Sequence, residues 1–280
     1  MTFGSGDGGA AGPGGQAPCV GGGRGDRAQV FAAILARPDD VDLRLRYAAA
    51  VQGGDPEHAE LIRLQVDDER DRLAHRLPDP ARSDRIDILL DALAPRLTAP
   101  VVRFVTAAEV YRGFVELVKL PATDFLDAGE EIARRAPLRH LRLSDAAGHA
   151  EAVANSPVLR RLISLDLSGN PIGDRGVAAL ARSPYLARLR WLGLVRCDAG
   201  AAGAKALAAS TGLPGLQYLA FAGNEVDLTP YAAGIDWDGT VQDVELPPLG
   251  AELVRRYGPK PWLSLPTRST LFWPPRWDEV

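Results

Sequence analysis

Hydrophobic and polar positions alternate along this chain in a pattern that returns. Leu162, Leu165, Leu167, Asn170 and Ile172 spell L-x-x-L-x-L-x-x-N-x-I. Leu189, Leu192, Leu194, Cys197 and Ala199 refill the same positions, and so do Leu216, Leu219, Phe221, Asn224 and Val226. The central leucines step by 27 residues twice (192 − 165 and 219 − 192). Within each unit, x-L-x-L-x has the period of a strand with one buried face. Asn170 and Asn224 stand where the chain leaves that strand. A buried Asn side chain there satisfies the turn's backbone groups, and stacked units would form an asparagine ladder with Cys197 as one rung. Gly176-Val177-Ala178-Ala179-Leu180 and Gly203-Ala204-Lys205-Ala206-Leu207 read as short helices with narrow, Ala-rich faces. One such unit cannot bury its own leucines, so the units must stack.

The pattern weakens outward. Val115, Val118 and Leu120, then Leu138, Leu141 and Leu143, give two degenerate units before the regular ones, and Val241, Val244 and Leu246 give one after. About six strands are therefore expected, the outer ones irregular as end repeats usually are. Ahead of them the apolar period changes to that of helices. Val30, Phe31, Ile34 and Leu35 form one helix ended by Pro38; Asp40 or Asp42 caps a second carrying Leu43, Leu45, Tyr47 and Val51. Asp55-Pro56-Glu57 starts a third, with a cap, a proline at the first position and an acid at the positive helix end. Asp79-Pro80 opens a fourth, whose end Pro95 and Pro100 punctuate. After Gly258, five prolines accompany Trp262, Trp273 and Trp277, which reads as a cap over the last repeat.

The repeated spelling resembles a leucine-rich repeat, in the long form of ribonuclease-inhibitor-like proteins, where each unit is a strand plus a helix. A second resemblance lies upstream. Phe31-x-x-Ile34-Leu35-Ala36-x-Pro38-Asp39-Asp40, Arg44-Leu45-x-Tyr47-Ala48 and Gly54-Asp55-Pro56-x-x-Ala59-Glu60-Leu61-Ile62-Arg63-Leu64-Gln65 are similar to the bacterial repeat-companion domain, which precedes leucine-rich repeats in some bacteria. Arg112-Gly113-Phe114-Val115 resembles the segment leading into the repeats of such proteins. The chain departs from that family after Tyr47-Ala48, where Ala49-Ala50-Val51-Gln52 replaces an acidic and aromatic run. The resemblance implies no activity. The fold expected is α/β: a leucine-rich-repeat solenoid, a short arc of parallel strands with convex helices, behind an all-helical N-terminal domain. The divisions are a disordered Gly-rich tail over 1–25, the helical domain over 26–100, repeats over 101–258 and a Pro/Trp-rich cap over 259–280.

Composition narrows the chemistry. The 280 residues are 46% hydrophobic and 24% charged with a formal net charge of −4, which argues against nucleic-acid binding by bulk electrostatics. Two cysteines exclude a disulfide framework and point to a reducing, cytoplasmic setting. No secretory signal or membrane-spanning run is read, and Arg24-Gly25-Asp26 is too short a motif to carry an adhesion role. The histidines are scattered away from the cysteines, and no phosphate-binding loop stands between a strand and a helix, so no metal and no cofactor is expected.

Stacking the strands brings His140, Ser164 and Asp166 together, the residue types of a hydrolase. They would lie on an open sheet face whose N–H groups the ladder uses, with no strained nucleophile turn, so catalysis is not expected. Instead Asp166 is expected to pair with Arg142 on the adjacent strand. The outward positions form columns: Leu117, His140, Ser164, Trp191, Tyr218 and Asp243 in one, Lys119, Arg142, Asp166, Gly193, Ala220 and Glu245 in the next. Trp191 and Tyr218 should stand side by side above a shallow space at Gly193, either as an exposed anchor or beneath the C-terminal tryptophans. The expected function is a non-enzymatic module that binds a protein or peptide on this concave face through Trp191, Tyr218, His140, Arg142, Asp166, Ser164 and Glu245. The alternative is a regulatory subunit that inhibits or activates an intracellular enzyme.

Overall fold

A computed structural model describes residues 24–74, 76–235 and 241–264. The Gly-rich tail as far as residue 23, and Trp273 and Trp277 of the expected cap, fall outside those residues, while residues 24 and 25 of the expected tail already belong to the first helix.

Four helices come first: α1 Arg24–Ala36, α2 Val41–Val51, α3 Pro56–Leu73 and α4 Pro80–Thr98. Aspartates set three of their starts. Asp40 Oδ1 accepts from Leu43 N at 3.2 Å, Asp55 Oδ1 from His58 N at 3.3 Å, and Asp79 Oδ1 from Ala81 N at 3.1 Å. Each occupies a donor that the first helical turn leaves unsatisfied. Pro95 does not end α4. The helix continues to Thr98, and Leu93 and Leu97 hold the flanking turns against the core.

The chain then makes a hairpin, β1 Ala107–Tyr111 and β2 Phe114–Pro121, paired antiparallel. Arg112 (φ 47°) and Gly113 (φ 80°) close it. Two left-handed residues give the turn whose twist suits a hairpin. From β2 onward the sheet is parallel and in chain order, through β3 His140–Ser144, β4 Ser164–Asp166, β5 Trp191–Gly193 and β6 Tyr218–Ala220. Val118, Leu141, Leu165, Leu192 and Leu219 occupy one row of that register, all facing the core. The connections carry α5 Ala122–Arg135, α6 Ala150–Ala154, α7 Gly173–Ala181 and α8 Ala201–Ala209.

The rungs between units are visible. Asn170 Nδ2 donates to Leu143 O at 2.9 Å and to Leu167 O at 2.8 Å, while its Oδ1 accepts from Ala146 N at 2.8 Å. Asn224 repeats the arrangement two units on, with Leu194 O, Phe221 O and Cys197 N. Between them, the buried Cys197 Sγ donates to Leu167 O at 3.2 Å. Turn groups of three successive units are thus satisfied by one column of side chains, which locks each unit to the one before.

The expected last strand is corrected. Val241–Glu245 forms β8, but it pairs antiparallel with β7 Tyr231–Ile235 in a separate two-stranded sheet. A strand that continues a parallel sheet needs a crossover returning it to the same end. After β6 the chain spends that length on β7 instead of a helix. The sixth strand of the main sheet is β1, at the opposite edge.

One apolar cluster runs from Leu61, Leu89 and Leu93 of the helices through the leucine rows to Trp262 and Leu263. The last two follow α9 Pro248–Tyr257 in the chain. A second cluster, Val30, Ile34, Leu43, Tyr47 and Ile62 among others, closes on Phe114 of β2. Among the described residues no helix is long and apolar enough to cross a membrane.

Candidate functional site

Strand pairing builds the first outward column: Leu117 opposite His140, His140 opposite Ser164, Ser164 opposite Trp191, and Trp191 opposite Tyr218. The two rings stack, with centroids 6.1 Å apart and planes at 21°. The column is not an open face, however. Leu117, His140 and Ser164 are 1%, 2% and 0% exposed, Trp191 is 9% exposed, and only Tyr218 is half-buried. Of the two readings for Trp191, exposed anchor or covered ring, its burial agrees with the second. The expected shallow space is also filled. A Cβ placed on Gly193 would sit 2.6 Å from Trp191 Cη2 and 2.3 Å from Asp166 Oδ1, so the glycine is required by the indole lying over it.

His140 Nδ1 and Ser164 Oγ are 2.8 Å apart, and the imidazole meets the Tyr111 ring edge-on at 6.0 Å. Burial, and then the charge of Arg139, push the His140 pKa well below its ordinary value, so the ring is neutral. Asp166 turns toward other groups. Its Oδ1 accepts from Ser168 N at 2.9 Å, and its Oδ2 lies 3.5 Å from Arg142 Nε, the pairing expected from the register. Burial raises the Asp166 pKa against the opposing pull of Ser168 and Arg142. Glu245 is separated from all of these. It is exposed on β8 and accepts from Tyr231 Oη at 2.7 Å, because its strand left the sheet. The column's last member, Asp243, likewise belongs to β8, where its backbone pairs with Gly234.

Where β2, β3 and β4 end, a cleft of about 330 Å³ opens between Lys119, Arg142, Ser144, Asp145, Ser168 and Asn170. It continues the second outward column, Lys119–Arg142–Asp166, out of the covered part of the sheet. Arg142 and Lys119 reach it half-buried, with Lys119 Nζ 3.4 Å from Glu109 Oε1. Among the described residues no group of three or more His, Cys, Asp or Glu is placed to hold a metal ion.

A buried ion cluster at the joint of helices and sheet was missed by the sequence reading. Glu116 of β2 is 1% exposed, on the inward side of the strand with Val118 and Leu120. Arg44 Nη2 donates to its Oε1 at 2.5 Å, and Arg112 donates from Nε at 3.0 Å and from Nη2 at 2.8 Å. Arg139 Nη1 lies 3.4 Å from Glu116 Oε2 and 3.5 Å from Glu69 Oε1, and its Nε lies 2.8 Å from Asp39 Oδ1. Burial alone would raise the Glu116 pKa, but the three guanidiniums outweigh it and lower the carboxyl to about 2. A glutamate at an inward register position is the signal that was available, because a buried carboxylate needs cations around it.

Residues 159–181 match a family model described as Leucine Rich repeat. The matched stretch contains β4, Asn170 and the whole of α7, which together make one strand–turn–helix unit. No curated protein and no solved structure matches the chain.

Proposed function

We propose that the chain is a non-enzymatic protein-interaction module: leucine-rich repeats stacked as a short solenoid, behind a helical repeat-companion unit, holding a partner protein or peptide. The observation that carries the reading is the cleft at the strand ends, contiguous with the Lys119–Arg142–Asp166 column of a repeat sheet. On this reading the contact surface is Lys119, Arg142, Ser144 and Asp145 rather than the buried Trp191 and His140, with half-buried Tyr218 further along the sheet. Cations beside polar, unfilled space orient and select a charged partner more than they add raw affinity.

Two further features support the reading. The His140–Ser164 pair is buried within the sheet, which leaves a substrate no approach to the serine. The segment Arg112-Gly113-Phe114, part of the repeat-companion resemblance, lies at the joint. Phe114 packs on Tyr47 with ring centroids 5.1 Å apart, and Arg112 Nη2 donates to Pro38 O at 3.1 Å. A cytoplasmic setting belongs to the same reading, in keeping with the free, buried thiol of Cys197.

The test is quantitative cross-linking capture from native lysate with wild type and with Lys119→Glu plus Arg142→Glu. A partner enriched by wild type and lost from a variant of unchanged unfolding midpoint supports the cleft. An identical capture profile for the two proteins removes it.

A further inference from the structure

A second cavity, of about 480 Å³, lies between the helices and the first strands. That volume is in the range of sites for small ligands. Phe31 of α1, Leu97 of α4, Val101, and Phe114 and Val115 of β2 give it apolar walls, and the Phe31 and Phe114 rings stack at 5.7 Å and 27°. Gly113 lines it too, where a side chain would collide with Ile62.

Three arginines line the same cavity, and they are not equivalent. Arg96 is committed to Asp55, with nitrogen–oxygen distances of 2.6 and 3.1 Å, and Arg135 is committed to Glu131. Arg27 has no such partner. Its Nε donates to Tyr47 Oη at 2.9 Å and its guanidinium lies 5.7 Å from the Tyr47 ring centroid, but among the described residues no carboxylate pairs with it. Its two terminal nitrogens retain donors in the fork geometry that matches a carboxylate.

His58 decides where the charge in this cavity comes from. The residue is 3% exposed and lines the cavity. Its Nε2 is 2.7 Å from Gly113 O, an acceptor, so the ring proton is on Nε2 and Nδ1 is a bare acceptor. Nδ1 is buried and makes no hydrogen bond; Asp55 Oδ2, at 3.8 Å, is itself an acceptor. Burial, with Arg96 and Arg27 acting against protonation, lowers the His58 pKa, so the cavity's positive field comes from the arginines alone. Apolar walls under such a field, with one guanidinium lacking a counter-ion, favour an anion with an apolar body. A cation would be repelled, and a neutral ligand would leave Arg27 unused.

We propose that this cavity is a binding site for a small aromatic monocarboxylate, its ring against Phe31 and Phe114 and its carboxylate on Arg27. Such a ligand would bridge α1 and β2, and so stabilise the joint on which the repeats are mounted. The site is separate from the cleft at the strand ends, and its test uses the purified chain with no partner protein.

The experiment is calorimetric titration with 3-phenylpropanoate and with the neutral 3-phenylpropanamide. The expected result is saturable one-to-one binding of the acid, at least tenfold tighter than the amide and weakening as salt rises. Arg27→Gln, on an exposed position, should reduce acid affinity at least tenfold and leave the amide unchanged. Ala28→Trp, which fills the cavity mouth, should abolish both. Absence of saturable binding, equal affinity for acid and amide, or acid affinity unchanged in Arg27→Gln overturns the proposal. Should Arg27→Gln fail to fold, the acid-to-amide ratio and its salt dependence on the intact protein decide.

Discussion

Replacing Glu116 with Gln removes one negative charge from the joint and almost no volume. In the intact cluster three guanidiniums, Arg44, Arg112 and Arg139, face three carboxylates, Glu116, Glu69 and Asp39. Glu116 is the member that all three arginines share. Removing it leaves a buried positive excess, and breaking a buried pair from one side costs about 3–5 kcal/mol. Proton linkage gives a second route to the magnitude. The Glu116 carboxyl is lowered from 4.5 to about 2, which corresponds to about 3 kcal/mol of stability. The sign follows from the direction of the shift. Stability from a depressed carboxyl is fully present above its ordinary value and is lost as pH falls from about 5 toward 2 and below. Urea unfolding at pH 7 should therefore show Glu116→Gln less stable by about 3 kcal/mol, with an unchanged m-value. Repeating the series down to pH 3 should show the wild type losing more stability than the variant, so the two profiles converge. A difference below about 1 kcal/mol at pH 7, or parallel profiles, would refute the reasoning, because it would mean that the cluster is solvated or already compensated.

Other perturbations read separate parts of the molecule. Gly113→Ala forces a side chain into positive φ with its Cβ 2.1 Å from Ile62 Cγ1; it should destabilise by more than about 2 kcal/mol, and a change under 1 kcal/mol in chemical denaturation would contradict the close packing. Cys197 should resist a thiol reagent at pH 8 in the folded protein and react on unfolding, since burial holds its thiol up at about 11; rapid labelling of the native state refutes this. Trp191→Ala should cost about 3–5 kcal/mol as a core truncation, far more than a surface change, and thermal unfolding checks it.

The regular repeats were legible because their signal is redundant. Each strand of the three central units repeats two leucines and a turn residue at fixed spacing, and each residue has one physical reason to be there. The caps at Asp40, Asp55 and Asp79 were legible for the same reason: a short polar side chain before an apolar helical run has few other uses. The terminal strand failed because Val241, Val244 and Leu246 satisfy strand periodicity, which says nothing about the partner strand. What decides a parallel return is the connection, and here it contains β7. At the hairpin only Gly113 favours the left-handed turn, and Arg112 beside it is not a residue that marks one, so β1 had little signal of its own. Burial of the outward column could be only one of two readings, for another reason. Alternation assigns residues to two faces; it does not state what lies against the second one.

The joint shows how a repeat edge is made safe. An exposed first strand would offer unpaired backbone groups and leucines to any other chain. Here β1 pairs the outer edge of β2, while Phe114 and Glu116 tie that strand to the helices by two unlike means. Phe114 does so by ring contacts with Phe31, Tyr47 and His58, which tolerate some sliding. Glu116 does so by several directional hydrogen bonds from Arg44 and Arg112, which do not. A buried ion cluster is weak evidence for added stability, since a well-packed apolar replacement is often as stable. Its distinctive effect is on register. A slip of β2 by one residue would carry Glu116 to the opposite face and strand the arginines without charge partners. The apolar cluster thus supplies most of the adhesion between helices and repeats, and the ion cluster fixes the one alignment in which the repeat rows begin.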